Sequence, residues 1–169
     1  MNALLDSILE YSKVGKGKHR LSTVDLADFL SQQVDIVDDG SRVQAHIDAK
    51  VQTIKVKKDP LGVIIRNMIA NSIKHSNKEL VTVRISAEED DESVHIIFED
   101  DGVGVPAEYT ETIFEMFKTL ETRAKVEGSG MGLAIVKKLV EHEGGRVWAE
   151  SPPSEPTKFH LTWPCRKEG

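Results

Sequence analysis

One amphipathic segment constrains this chain more than any other feature. Leu61, Ile64, Ile65, Met68, Ile69 and Ile73 recur every three or four positions, the spacing of one helix face. A face that wide has to lie on an apolar surface of similar extent. The surface follows at once: Val81, Val83 and Ile85 alternate with Thr82, Arg84 and Ser86, so one face of that strand is buried. Val94, Ile96 and Phe98 repeat the pattern. Asp59-Pro60 opens the helix, proline being tolerated in a first turn, and the helix runs to about Ser76.

The other elements fall around this pair. Leu4, Leu5, Ile8 and Tyr11 line one face of a helix over Met1–Val14, too short to be stable alone and therefore in need of a partner. Gly15–Gly17 reads as a linker. A second helix, capped by Thr23 or Asp25, carries Leu26, Phe29, Leu30, Val34 and Val37 and ends at Asp38-Asp39-Gly40. Val43–Asp48 and Val51–Val56 read as a strand pair. The acidic run Glu88–Glu92 is a solvated hairpin turn. Beyond the loop Asp100–Pro106 come a short helical piece around Thr112–Phe117, a polar stretch Lys118–Glu127 and a glycine cluster. The last helix, about Gly130 to Glu143, has Leu133, Val136, Leu139 and Val140 as its apolar stripe, and Gly144-Gly145 stops it. Strands near Arg146–Glu150 and Thr157–Trp163 close the chain. The expected class is α+β: a two-layer sandwich, one mixed sheet with helices on a single face.

Charge and composition exclude several functions. A net charge of -6 argues against a nucleic-acid surface, which needs clustered Lys and Arg to neutralise phosphates. The basic cluster Lys55, Lys57 and Lys58 reads as a solvated helix entrance. No apolar run approaches the ~20 residues that span a bilayer, so no direct membrane contact is expected. The single cysteine, Cys165, cannot form an internal disulfide and fits a reducing compartment.

Three separated patches have the residue types for chemistry. On the central helix Asn67, Asn71 and Lys74 fall within an arc of roughly 60° beside the apolar face. Such a stripe is either a plain solvent face or a ligand surface. Asparagine is a mediocre helix former, but its neutral oxygen suits Mg²⁺, which keeps waters and substrate phosphates among its ligands. Lys74 would add a point charge beside those phosphates. Second is Asp100-Asp101-Gly102-Val103-Gly104. It is ordinary hairpin punctuation or a loop that lets a flat ligand approach, with an Asp to accept from an exocyclic amine. Third, Gly128-Ser129-Gly130-Met131-Gly132 opens directly onto the last helix, where bare amides form an anion site. A glycine cluster is also what a flexible linker looks like, but the abrupt junction with Leu133–Val140 argues against that here.

Taken in order, these patches resemble sensor histidine kinases. Asn67-Met68-Ile69-Ala70-Asn71-Ser72-Ile73-Lys74-His75 resembles their N box, and Asp100-Asp101-Gly102-Val103-Gly104-Val105-Pro106 their G1 box. Ile113-Phe114-Glu115-Met116-Phe117 resembles the F box. Gly128-Ser129-Gly130-Met131-Gly132-Leu133-Ala134-Ile135-Val136 resembles the G2 box, with Glu143-Gly144-Gly145-Arg146-Val147-Trp148 as the usual exit. The lid and last helix also resemble those of phytochrome-type kinases. The resemblance implies the Bergerat (GHKL) fold, binding ATP and Mg²⁺ between the N-box helix and a lid. It implies that Asn71 ligates the metal, Asn67 supports the phosphate side, Lys74 contacts phosphate and His75 lies beside the nucleotide. Asp100 would read the adenine amine, with Gly102 and Gly104 shaping that pocket. Phe114 and Phe117 would tether a lid over Lys118–Glu127 in which Arg123 meets phosphate. Gly128, Ser129, Gly130, Met131, Gly132 and Leu133 would hold the triphosphate, while Trp148 reads as packing.

Leu9-Glu10-Tyr11-Ser12-Lys13-Val14-Gly15 resembles the end of the second helix of a dimerisation and phosphoacceptor hairpin. The implied domains are therefore 1–18, hairpin end and linker, and 19–169, the ATP-binding catalytic domain. None of His19, His46, His75, His95, His142 or His160 is followed by the acidic-Leu-Arg pattern of an acceptor, so no catalytic histidine is expected in this chain. The expected partners are ATP or ADP, the parent kinase's dimeric hairpin and a response-regulator receiver domain, with no nucleic acid, in the cytoplasm. The parent would be soluble or membrane-anchored. Three rival functions share the fold. Clamp ATPases generally have a water-activating Glu where this chain has Asn67, whose amide is no general base. An anti-sigma serine kinase would not need Met1–Val14, and a nucleotide-binding module without catalysis would not need intact boxes.

Overall fold

The computed structural model describes residues 9, 12–13, 16, 20–38, 40–115 and 132–165. Strand β1 (Leu21–Asp25) leads into helix α1 (Leu26–Val37), followed by β2 (Val43–Ala49) and β3 (Thr53–Lys57). Helix α2 (Lys58–Lys74) precedes the hairpin of β4 (Val81–Glu89) and β5 (Ser93–Asp100). Two 3-10 turns (Ala107–Tyr109, Thr112–Phe114), helix α3 (Gly132–His142), β6 (Arg146–Glu150) and β7 (Lys158–Pro164) complete the order.

Five strands form one sheet in the order β2-β4-β5-β7-β6, parallel between β2 and β4 and antiparallel elsewhere. The alternation read from the sequence fixes its two faces. Val83, Ile85, Ile96, Phe98, Leu161 and Trp163 are buried in one core cluster with Ile64, Ile65, Met68 and Ile69 of α2. This is the mixed sheet with helices on one face that the sequence implied.

The pairing of β2 and β3 differs from expectation. The two segments do not pair with each other: β2 lies parallel to β4, and β3 pairs with β1 in a separate two-stranded ribbon. The turn between them fits a hairpin as well as a crossover, and β1 is an exposed, five-residue strand with no strong apolar signal. Of the bases at the helix entrance Lys58 is exposed, as expected, while Lys57 is paired. Lys57 Nζ reaches Glu143 Oε2 at 3.0 Å, joining the start of α2 to the end of α3.

Local signals set the helix ends. Asp25 caps α1, its carboxylate accepting from Asp28 N–H at 3.0 Å. At the other end Asp38 accepts from Arg42 and Val43 N–H, which starts β2. Gly145 N–H donates to Val140 O at 2.9 Å, closing α3 where the glycine pair was expected to stop it. The buried side of α3 is wider than the expected stripe: Ala134, Ile135, Val136 and Val140 are buried, while Leu133 and Leu139 are half-buried against the core. On the open face of the sheet Trp148 stacks on His160, ring centroids 4.9 Å apart, with Arg146 over the indole. His160 Nε2 meets Glu150 at 2.7 Å and its Nδ1 meets His95 Nε2 at 3.0 Å. No helix among the described residues is long and apolar enough to cross a membrane.

Candidate functional site

The fold brings the end of α2, the end of β5 and the start of α3 to one edge of the helix layer. Asp100 is the last residue of β5, and its carboxylate points at α2: Oδ2 accepts from Ser72 Oγ at 2.8 Å. Oδ1 accepts from Gly102 N–H at 2.9 Å. Each oxygen still has a lone pair for a further donor.

Asp101 is used differently. Its Oδ1 accepts from Thr82 N–H and its Oδ2 from Lys78 Nζ, both at 3.0 Å. Burial pushes its carboxyl up, but the Lys78 ammonium and the Thr82 amide outweigh that and hold it below the usual carboxylate value. Of the doubled aspartates, then, the first faces α2 and the second staples the loop to β4.

The loop glycines are positions of close approach. A Cβ on Gly102 would sit 2.9 Å from Asp100 Oδ1 and 3.2 Å from the His75 carbonyl oxygen at the end of α2. Gly104 has φ +74°, a left-handed conformation that costs an L side chain ~1 kcal/mol or more. Beyond it, Val105 N–H donates to Thr157 Oγ1 at 2.8 Å and Ser151 Oγ donates to Val105 O. The loop is thus strapped to α2 on one side and to the β6–β7 connection on the other.

Along α2, Asn67 and Asn71 are half-buried and Lys74 is exposed. Asn67 Nδ2 donates to Val63 O at 2.8 Å. Its Oδ1 lies 3.3 Å from where Gly132, the first residue of α3, would carry a Cβ. Asn67 and Gly132 are therefore neighbours, as are His75 and Gly102. Phe114 is buried edge-on to Phe159, centroids 6.4 Å apart, as a core residue. Phe117, Arg123, Gly128, Ser129, Gly130 and Met131 lie outside the described residues.

Sequence reasoning missed Ser72, Thr157 and Lys78. Ser72 had a legible signal, since it continues the apolar face four residues after Met68, where a hydroxyl needs a buried partner. Thr157 and Lys78 had none, because their partners are distant in sequence.

The chain spans about a fifth of the length of the cyanobacterial phytochromes it matches. It is 28% identical over 169 residues to the phytochrome-like protein Cph1 of Synechocystis, covering 97% of this chain and 22% of that one. The full-length ShkA structure in complex with AMPPNP superposes with a TM-score of 0.82 at 24% identity, over 98% of this chain and 36% of ShkA. Histidine kinase ThkA in complex with the response regulator protein TrrA gives a TM-score of 0.74 at 19% identity, over 96% and 46%. The fold is the two-layer sandwich of the GHKL ATPases. The histidine kinase-, DNA gyrase B- and HSP90-like ATPase family matches residues 56–167, and the chain belongs to it.

Proposed function

We propose that this chain is the ATP-binding catalytic domain of a sensor histidine kinase, holding Mg²⁺ and ATP for transfer of the γ-phosphoryl group to a histidine on a helical hairpin. The observation that carries the reading is the convergence of the Asp100 carboxylate, the asparagine face of α2 and the first residue of α3 on one edge. The AMPPNP in the ShkA complex supports an adenine nucleotide as ligand, and the ThkA–TrrA complex supports a response regulator as downstream partner. Residues 1–18 would be the end of the hairpin and a linker, and 19–169 the catalytic domain. On this reading the domain works in the cytoplasm, where ATP is available.

The donor set fits a magnesium ion. Asn71 offers a neutral oxygen, and among the described residues no group of three or more His, Cys, Asp or Glu forms a protein cage. Mg²⁺ typically takes few protein ligands and keeps phosphates and waters. When bound, it neutralises charge developing on the phosphates. Asp100 orients the base through its exocyclic amine, and Gly102 lets the ring lie close to the loop. Asn67 and Gly132 bring the helix-start amides of α3 to the phosphate side, and Lys74 adds positive charge. This positioning leaves the γ-phosphorus open to a histidine nitrogen. The P–N bond forms as the β–γ bridging P–O bond breaks, and ADP leaves. Asn67 supplies no base for water, which favours transfer over hydrolysis.

The test is incubation with Mg²⁺ and γ-labelled ATP, alone and with a histidine-bearing hairpin supplied in trans. Label on the hairpin only is the expected result. Stable label on the chain alone, or on a serine of an added protein, would overturn the reading.

A further inference from the structure

Ser72 is a hydroxyl on the core side of α2, and it is 6% exposed. A hydroxyl there needs a partner, and two acceptors are in reach: Met68 O at 3.3 Å and Asp100 Oδ2 at 2.8 Å. Serine has one proton to give. The shorter, charge-assisted bond to the carboxylate takes it. Gly102 N–H holds the other oxygen, so the carboxylate is pinned at both ends.

We infer that Ser72 is a positioning residue that sets base selectivity, fixing Asp100 so that its remaining lone pair meets an exocyclic amine on a 6-aminopurine. The inference rests on the nucleotide reading above. A carboxylate fixed in this way accepts only, so a 6-oxo purine would turn a second acceptor toward it. Without the Ser72 hydroxyl, Asp100 keeps a single anchor at Oδ1, and its terminal torsion is broad. The amine contact then weakens, while contacts to metal and phosphates are untouched. A purely structural serine would lower affinity for every nucleotide alike.

A cycle between protein and ligand separates these cases. The full chain, as wild type and as Ser72→Ala, is titrated with Mg²⁺ complexes of ATP and of purine riboside triphosphate, which lacks only the 6-amino group. The wild type is expected to prefer ATP by about tenfold, the worth of one charge-assisted hydrogen bond. Ser72→Ala is expected to lose most of that preference, with ATP about tenfold weaker and the amine-free analogue within about twofold of the wild type. Ser72→Cys, a weak donor of similar shape, should give an intermediate preference. Equal weakening of both ligands in Ser72→Ala would overturn the inference, as would a wild-type preference retained in Ser72→Cys. A wild type that binds both ligands equally would overturn it too but leave the Mg-nucleotide reading standing. Binding of neither would remove both.

Discussion

Replacing Gly102 with alanine tests how tightly the loop is built. The added Cβ would lie 2.9 Å from Asp100 Oδ1 and 3.2 Å from the His75 carbonyl oxygen, so both neighbours must give way. The carbonyl belongs to the C-cap of α2, where His75 N–H bonds Asn71 O at 3.1 Å, and the core holds that helix in place. The carboxylate therefore moves, and it cannot move without stretching its bonds to Gly102 N–H and Ser72 Oγ. Overpacking of this kind typically costs about 1–3 kcal/mol, and weakening a hydrogen bond to a charged group belongs in the same range. The expected loss of stability is about 2 kcal/mol, or roughly 4–8 °C in Tm for a domain of this size. Urea unfolding followed by circular dichroism should show a lower midpoint with an unchanged slope. Affinity for adenine nucleotides should fall with it. A variant within about 0.5 kcal/mol of the wild type that also binds ATP normally would refute the packing argument.

Gly145→Ala should be more damaging, because its Cβ would overlap the Thr162 carbonyl oxygen of β7; a loss of about 3 kcal/mol or more is expected, read by thermal melting. Lys78→Met should cost under about 1 kcal/mol at neutral pH, since the pair with Asp101 is partly exposed. Asp101 has its folded pKa lowered, so its contribution is present above the ordinary value of 3.8 and is lost as pH falls through the lower folded one. Acid unfolding of Lys78→Met should accordingly begin at higher pH than that of the wild type. His95 is also lowered, by burial first and by His160 second, with Glu88 and Asp90 opposing. The fold binds that proton less readily than the unfolded chain does. Its stabilising effect is therefore full above the ordinary 6.5 and lost as pH falls through the folded value. His95→Gln should flatten the drop in Tm between pH 7.5 and 5.5; an unchanged drop would count against it.

Periodicity made the layers legible. The three-and-four spacing of Leu61 to Ile73 and the alternation in Val81–Ile85 and Val94–Phe98 gave helix, hairpin and buried faces, and all three stand in the structure. The candidate site was legible as separate patches: asparagines one turn apart are odd choices for plain surface, while the Asp-Gly loop reads equally as hairpin punctuation and gained weight only from its order with the other patches. Pairing was not legible. Nothing local in Val43–Ala49 tells whether its neighbour is the next strand or one beyond a helix, and the parallel register with β4 depends on α2 crossing the sheet. The straps were illegible for the same reason: Thr157 holds Val105 and Lys78 holds Asp101 across long stretches of chain. The expected opening helix, the lid and the glycine cluster fall mostly or wholly outside the described residues.

Calorimetric titration of the chain with ATP, in Mg²⁺ and again in EDTA, bears most directly on the claim that one edge of the helix layer grips a nucleotide by base and metal. Saturable one-site binding is expected in Mg²⁺, much weaker without the ion, and weakened separately by Asn71→Ala and by Asp100→Asn. Binding that ignores the ion and both substitutions, or no binding at all, would contradict it.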